Sequence, residues 1–402
     1  MYGLFQFLFK QGSKRLFNEH LTTPSLFEML NKFFPEIESI PHADTIARLL
    51  KRINPTKIEY IHVDLIRGLI NNKKFKKLLI YKCLPVSIDG TQKAVRDGQL
   101  QEDGWLLRTV TTKEGKEFQQ YVYVLEANIT FANGLNIPLL TEYCYLDADL
   151  IKDDVAKQDC ELGGFERIKD KLKKHFSKLK IILMLDNLYA CDNVIKHLKN
   201  NNWEFMIKLP SKLKSVHEPL KECQCNSQSI PGQLYYRERA QSFYWKNNIK
   251  YKGNIIHAVA CTDKWREVSN TTGKFITKRS EHTWISSQPL SIDNVHTLCN
   301  LAARKRAFIE DSFNTEKNRG YHYQHVFSYD WNAMKGFHYL MRLAHAINAI
   351  SEFTKKLKKH IRELGVSNTL FRIFEAIKHP WLSDEWLKKE LRKKPQLRFQ
   401  FE

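Results

Sequence analysis

Within the stretch Leu301 to Tyr321, LAARKRAFIEDSFNTEKNRGY, three charged residues are spaced for work on a phosphate backbone. The stretch contains no proline, and its single glycine, Gly320, falls where a helix would end. Read as one helix, it carries Arg306, Glu310 and Lys317 on a common face of the 3.6-residue period. Phe308, Ile309 and Phe313 are then left to bury the other faces. A carboxylate flanked by two cations suits a group that holds a metal ion beside phosphates. Taken alone, the pattern equally describes a surface helix with i,i+4 ion pairs.

Two further carboxylates strengthen the metal reading. Asp89 follows the apolar run LLIYKCLPVSID, expected as a strand ending at Asp89-Gly90, and Asp186 ends the buried-type strand IILMLD. Each is also an ordinary strand-end or helix-capping position. An aspartate on an apolar strand is costly unless it meets solvent or a cation. Two neighbouring strand ends bring carboxylates together, and with a third from a helix they suit two divalent ions about 3.5–4 Å apart. Hard oxygen donors favour Mg²⁺ or Mn²⁺ over zinc. Such a pair activates water or a 3′-hydroxyl for phosphodiester displacement.

The elements around these residues have a recognisable order. Residues 1–78 read as a helical N-terminal domain punctuated by prolines and rich in Lys and Arg, a candidate DNA-binding unit or a packing subdomain. Residues 79–210 alternate between periods of two and 3.6. The strand ending at Asp89 is followed by YVYVLEANIT and NIPLLTEYCYL, joined through Asn133-Gly134. A helix over 158–176, the Asp186 strand, a helix over 192–200 and the strand WEFMIKL complete this run. Strand, strand, strand, helix, strand, helix, strand is the order of an RNase H-like core. Residues 211–289 open with a polar loop and then read as an inserted β-rich subdomain. Residues 290–354 return to the core with the Glu310 helix and a buried helix over 331–353, and 355–402 form a basic helical segment. The fold class expected is therefore α/β: an RNase H-like mixed-sheet core, an inserted β-strand subdomain and a helical N-terminal domain.

Composition agrees with a nucleic-acid partner. The chain has 402 residues, a formal net charge of +20 spread along its length, and an isoelectric point near 9.4. That excess favours a polyanion, although ribosome-associated and membrane-surface proteins share it. Nowhere do about 18 apolar residues run together, so no membrane partner is expected. Eight scattered cysteines and no recognisable secretion signal lead to expecting a reducing compartment, free thiols and a cytoplasmic, nucleoid-associated protein. Cys223 and Cys225 lack a second ligand pair for zinc. The acidic run Asp147, Asp149, Asp153, Asp154 reads as a solvated loop, and His322 and His325 as packing or a DNA-contacting loop.

VSIDGT around Asp89, LMLDNLYA around Asp186 and RAFIEDSFNTEKNRGY around Glu310 resemble the three acidic motifs of DDE transposases from bacterial insertion sequences. Arg306-x3-Glu310-x6-Lys317 matches most of the Y-x2-R-x3-E-x6-K pattern of the cut-and-paste members that carry a β-rich insertion. KQDCELGGFERIK is similar to the helix before the second aspartate in that family. The likeness spans roughly residues 40–350. It implies a transposase of a mobile element that nicks transposon ends and joins the freed 3′-hydroxyl to target DNA, working as a homodimer in a synaptic complex on double-stranded DNA. Asp89, Asp186 and Glu310 would be catalytic and hold two Mg²⁺ or Mn²⁺ ions, with Arg306 and Lys317 on phosphates. Trp284 would stack on a flipped base; as a sequence position it equally suits a core tryptophan. One position departs: the tyrosine of the pattern, which the family associates with phosphate contacts at the transposon end, is Ala303 here. Tyr321 and Tyr323 stand nearby at the wrong spacing. Two rivals remain, an RNase H-like nuclease without strand transfer and an inactive transposase-derived DNA-binding protein.

Overall fold

A computed structural model describes residues 2–98, 104–113, 115–144, 153–225, 234–379, 383–393 and 397–401. Five helices come first: α1 (Tyr2–Leu8), α2 (Lys14–Leu21), α3 (Pro24–Phe33), α4 (Ala43–Arg52) and α5 (Thr56–Asn71). Local chemistry starts several of them. The Ser13 hydroxyl accepts from Leu16 N at the head of α2. Thr23 accepts from Leu26 N at the head of α3, where Pro24 occupies the first turn.

The centre of the molecule is a mixed sheet. Its strands are β1 (Leu84–Asp97), β2 (Leu106–Thr112), β3 (Gly115–Thr130), β4 (Asn136–Tyr143), β5 (Ile181–Leu185), β6 (Glu204–Lys208), β7 (Leu234–Tyr236), β8 (Arg239–Tyr251), β9 (Asn254–Val268) and β10 (Phe275–Ser286). The order is β2-β3-β1-β5-β6-β10-β9-β8-β7, with β4 also paired to β3. β1 lies antiparallel to β3 and parallel to β5, and β5 lies parallel to β6. The strands expected as an insertion extend this same sheet, because β10 pairs antiparallel with β6 through Trp284, Ile285 and Ser286.

Three local expectations differ from the structure. β1 does not stop at Asp89; it runs on to Asp97 because Gly90–Asp97 find ladder partners along the long strand β3. The polar stretch after it contributes β2 by the same mechanism. The expected polar loop after Pro210 contains helix α8 (Lys214–Cys225).

Helices cover both faces of the sheet. On one, α6 (Asp153–His175) and α7 (Asp192–Asn200) bury Phe165, Ile168, Leu172, Ile195 and Leu198 against Leu183, Leu185, Phe205 and Ile207. On the other, α11 (Trp331–Glu352) packs Phe337 and Met341 against Val122 and Val124. The N-terminal helices join that second cluster through Phe7, Phe17, Leu26, Ile46 and Leu50. α12 (Lys358–Ile377) and α13 (Asp384–Leu391) close the described chain. The Glu310 segment is not one regular helix. It passes through α9 (Val295–Thr297), a π turn (Leu298–Ala302), a 3₁₀ turn (Ala303–Ala307) and α10 (Phe308–Asn318). Ala302 lies off helical geometry between the two turns, so the axis is re-aimed there. Leu298, Cys299, Ala302 and Ala303 of that segment pack on Met184, Met206, Val259 and Trp284.

Candidate active site

Strand register builds a polar row across one face of the sheet. Ser87 of β1 pairs with Met184 of β5, so Asp89 and Asp186, each two residues further on, fall on the same face of parallel neighbours. Met184 pairs with Met206 of β6, which puts Lys208 next in line, and Lys208 pairs with Trp284 of β10. On the other side Asp89 pairs with Glu126 of β3. The row therefore reads Glu126, Asp89, Asp186, Lys208, Trp284. An apolar strand on a two-sided core carries such a row only where something above it compensates the charge.

Arg306 supplies that compensation. Its Nη1 donates to Asp89 Oδ2 at 3.0 Å, and its Nη2 donates to Glu310 Oε1. Asp89 and Arg306 are mostly enclosed, with side chains 19% and 15% exposed, while Glu310 is open at 55%. Burial pushes the Asp89 carboxyl up to about 6; Arg306 opposes the rise, and Glu161 and Glu310 add to it. Asp89, Glu310 and Asp186 together hold the Arg306 pKa above its ordinary value, outweighing the desolvation that lowers it. Asp186 Oδ1 is buried and makes no hydrogen bond among the described residues; its cation is Lys208, with Nζ at 3.7 Å. Lys317, farther along α10, donates to Thr91 Oγ1 at 2.7 Å, close to Asp89 along β1. Burial lowers its pKa.

Of the expected residues, Arg306 thus contacts both Asp89 and Glu310, and Asp186 and Lys317 lie beside them. Trp284 has no contact with these carboxylates among the described residues. It is 6% exposed, stacked on His282 at 5.6 Å with Arg304 at 5.7 Å from its ring. Ala303 is buried in the same apolar cluster. Among the described residues no three His, Cys, Asp or Glu side chains are grouped closely enough to share one ion, since Arg306 occupies the middle of the set. Asp89, Asp186 and Glu310 offer only carboxylate oxygen, the donor type that a hard divalent cation takes. The acidic run at 147–154 lies outside the residues whose side chains are described.

Several participants were not assigned from sequence. Glu161 of α6 is buried and accepts from Tyr123 at 2.7 Å and Tyr189 at 3.0 Å, and its charge is felt at Asp89. It lies within KQDCELGGFERIK, the stretch singled out above, but one glutamate among several on a helix has no spacing that gives it a role. Lys208 was findable: it ends an alternating strand two positions beyond Met206, and only the β5–β6 register was needed. Behind Asp89, Glu126 is fully buried with Arg342 at 3.0 Å and His338 at 2.9 Å. Arg342 also holds Glu316 of α10 at 2.9 Å and Asn128 at 2.7 Å, tying the Glu310 helix to the sheet.

No protein-family model matches the chain, and no curated protein matches it in sequence. Among solved structures it is similar to a piggyBac transposase in a synaptic complex with hairpin DNA. The likeness is weak: TM-score 0.34 and 11% identity, over 96% of this chain and 86% of that one.

Proposed function

We propose that this chain is a metal-dependent DNA transposase of the DDE type, with Asp89, Asp186 and Glu310 as its catalytic carboxylates. The observation that carries the reading is the placement of Asp89 and Asp186 on one face of adjacent parallel strands, with Arg306 joining Asp89 to Glu310. The partial sheet β4-β3-β1-β5-β6 supports an RNase H-like core, with the first three strands antiparallel and the last three parallel. The motif resemblance around all three carboxylates supports the family.

In this reading Asp89, Asp186 and Glu310 would hold two Mg²⁺ or Mn²⁺ ions, which would supply Lewis-acid activation and charge stabilisation for phosphodiester displacement. The chain's own groups do the positioning. Arg306 and Lys317 each carry a cation at the edge of the carboxylate set, where a scissile phosphate would lie, and clamp it there. Arg306 exchanges its carboxylate partners for phosphate oxygens when DNA enters. Lys208 neutralises Asp186 until then. The substrate is double-stranded DNA, both transposon end and target, held by a synaptic homodimer. The reactions are hydrolytic nicking followed by transfer of the 3′-hydroxyl. The domain limits 1–78, 79–210, 211–289, 290–354 and 355–402 belong to the same proposal.

One observation favours a DNA-binding descendant that no longer cuts. Ala303 stands where the family pattern has tyrosine and presents a buried methyl group to the core, so position 303 reaches no phosphate. Cleavage of a labelled duplex bearing the DNA that flanks the coding sequence, in Mg²⁺ and in Mn²⁺, separates the readings. Nicking plus joining to a second duplex is expected, and nicking without joining would indicate a nuclease. Asp89→Ala, Asp186→Ala and Glu310→Ala should each abolish cleavage while retaining duplex binding, with strongly non-additive losses. Parental cutting by Asp186→Ala or Glu310→Ala would overturn the assignment.

A further inference from the structure

We propose that the outer half of the β9–β10 hairpin is a DNA-binding arm, a surface separate from the carboxylate row. β8 accompanies β9 only as far as Lys264, which pairs with Ala240. Beyond that point β9 and β10 continue as a two-stranded ribbon, pairing from Lys264–Arg279 out to Val268–Phe275. Residues on the ribbon are mostly exposed; its turn, Ser269 to Lys274, is polar, and the last strand pair before it is apolar, with Phe275 78% and Val268 51% exposed. Phe275 is therefore an open aromatic ring at the outer end of the ribbon, beside whatever charges share its face.

Register sorts the ribbon's side chains into two unlike faces. One carries Trp265, Glu267, Ile276 and Lys278. Its charges are internally paired, with Lys278 on Glu267 and the Trp265 N–H donating to Glu267 at 2.8 Å. The opposite face carries Lys264 and Arg279, then Arg266 and Thr277, then the Val268–Phe275 pair. Among the described residues Lys264 and Arg266 have no ion pair, and the one ion pair of Arg279 is with Glu281, at 3.7 Å near the root of the arm. Three cations in two cross-strand rows, ending in an apolar pair, form a surface complementary to a phosphate backbone with a groove beside it. A two-stranded ribbon is narrow enough to enter a DNA major groove. The cations would lie on phosphates while Phe275 makes apolar contact in the groove.

This inference rests on the proposed DNA-processing function. Its test uses the full chain and a fluorescein-labelled DNA duplex, with affinity measured from about 50 to about 200 mM salt. The triple variant Lys264→Ala/Arg266→Ala/Arg279→Ala should flatten the slope of log K against log salt by about 2–3, the loss of three phosphate contacts. Phe275→Ala should weaken binding by roughly tenfold and leave the slope unchanged, because the contact it removes is uncharged. Both variants change exposed side chains, and unaltered melting would show that the fold is kept. A parental slope in the triple variant would overturn the arm while leaving the catalytic reading standing. Absence of salt-dependent duplex binding by the parent would count against the catalytic reading itself. Loss of a DNA-free dimer in either variant, with duplex affinity unchanged, would assign the ribbon to a second copy of the chain and overturn the proposal.

Discussion

Replacing Arg342 by methionine tests the packing that holds the candidate site together. Arg342 is 1% exposed and bridges two carboxylates that are fully enclosed, Glu126 on β3 and Glu316 on α10. His338 supports the first and His345 the second. Burial alone would raise the Glu316 carboxyl, but Arg342, His345 and His338 outweigh it and bring it from 4.5 to about 2. Glu126 is lowered through the same contest between burial and Arg342. A folded-state value below the unfolded one stabilises the fold above pH 4.5, and that stability is lost as pH falls from 4.5 towards 2. At about 1.4 kcal/mol per pH unit the Glu316 share is roughly 3 kcal/mol. That agrees with the roughly 3–5 kcal/mol typical of breaking a buried ion pair from one side. Since a folded domain holds only about 5–15 kcal/mol in all, Arg342→Met should remove a large fraction of the stability at pH 7. The pH dependence should also reverse. With no guanidinium, the two carboxylates need protons, so the variant should become more stable as pH falls from 7 towards 5. Adding Glu126→Gln and Glu316→Gln to Arg342→Met should restore most of the loss. Urea unfolding at several pH values reads all three effects. A loss under about 1 kcal/mol, or a pH profile parallel to the parent's, would refute this account of the buried network.

Other outcomes are expected nearer the carboxylates. Gly90→Ala should destabilise by about 1–3 kcal/mol in urea unfolding, since its Cβ would sit 2.3 Å from the Tyr123 hydroxyl that donates to Glu161. Arg306→Ala and Lys317→Ala should each reduce cleavage at least tenfold. The melting temperature of Lys317→Ala should stay within a few degrees of the parent, whereas Arg306→Ala should also melt lower at pH 7, because Asp89 loses its compensating cation. Normal cutting by the folded fraction of either variant marks a structural residue. Asp89→Asn should stabilise the metal-free protein at pH 7 by about 2–3 kcal/mol, because the Asp89 carboxyl stands near 6 rather than 3.8 and its ionisation is costlier in the fold. That gain should vanish as pH falls from 6 to below 3.8, and equal stabilities at pH 7 would show that Arg306 fully offsets the burial.

What the sequence determined by itself was most of the elements around the candidate site and which charged residues lie on them. Apolar runs of the right length before Asp89 and Asp186 placed both on strands, and the spacing of Arg306 and Glu310 put them one helical turn apart, as their contact in the structure requires. These are short-range properties, set by period and by the cost of burying an aspartate. The tertiary structure decided what depends on pairing partners far along the chain. β1 runs past Asp89 only because β3 is long enough to pair with it, and the strands at 234–286 extend the central sheet because β10 reaches β6. The re-aimed turn at Ala302, the Tyr123–Glu161–Tyr189 contacts and the Glu126–Arg342–Glu316 bridge have no local signature. Each buried charge there is tolerated only by partners from other elements, and no local pattern of residues states which partners those will be.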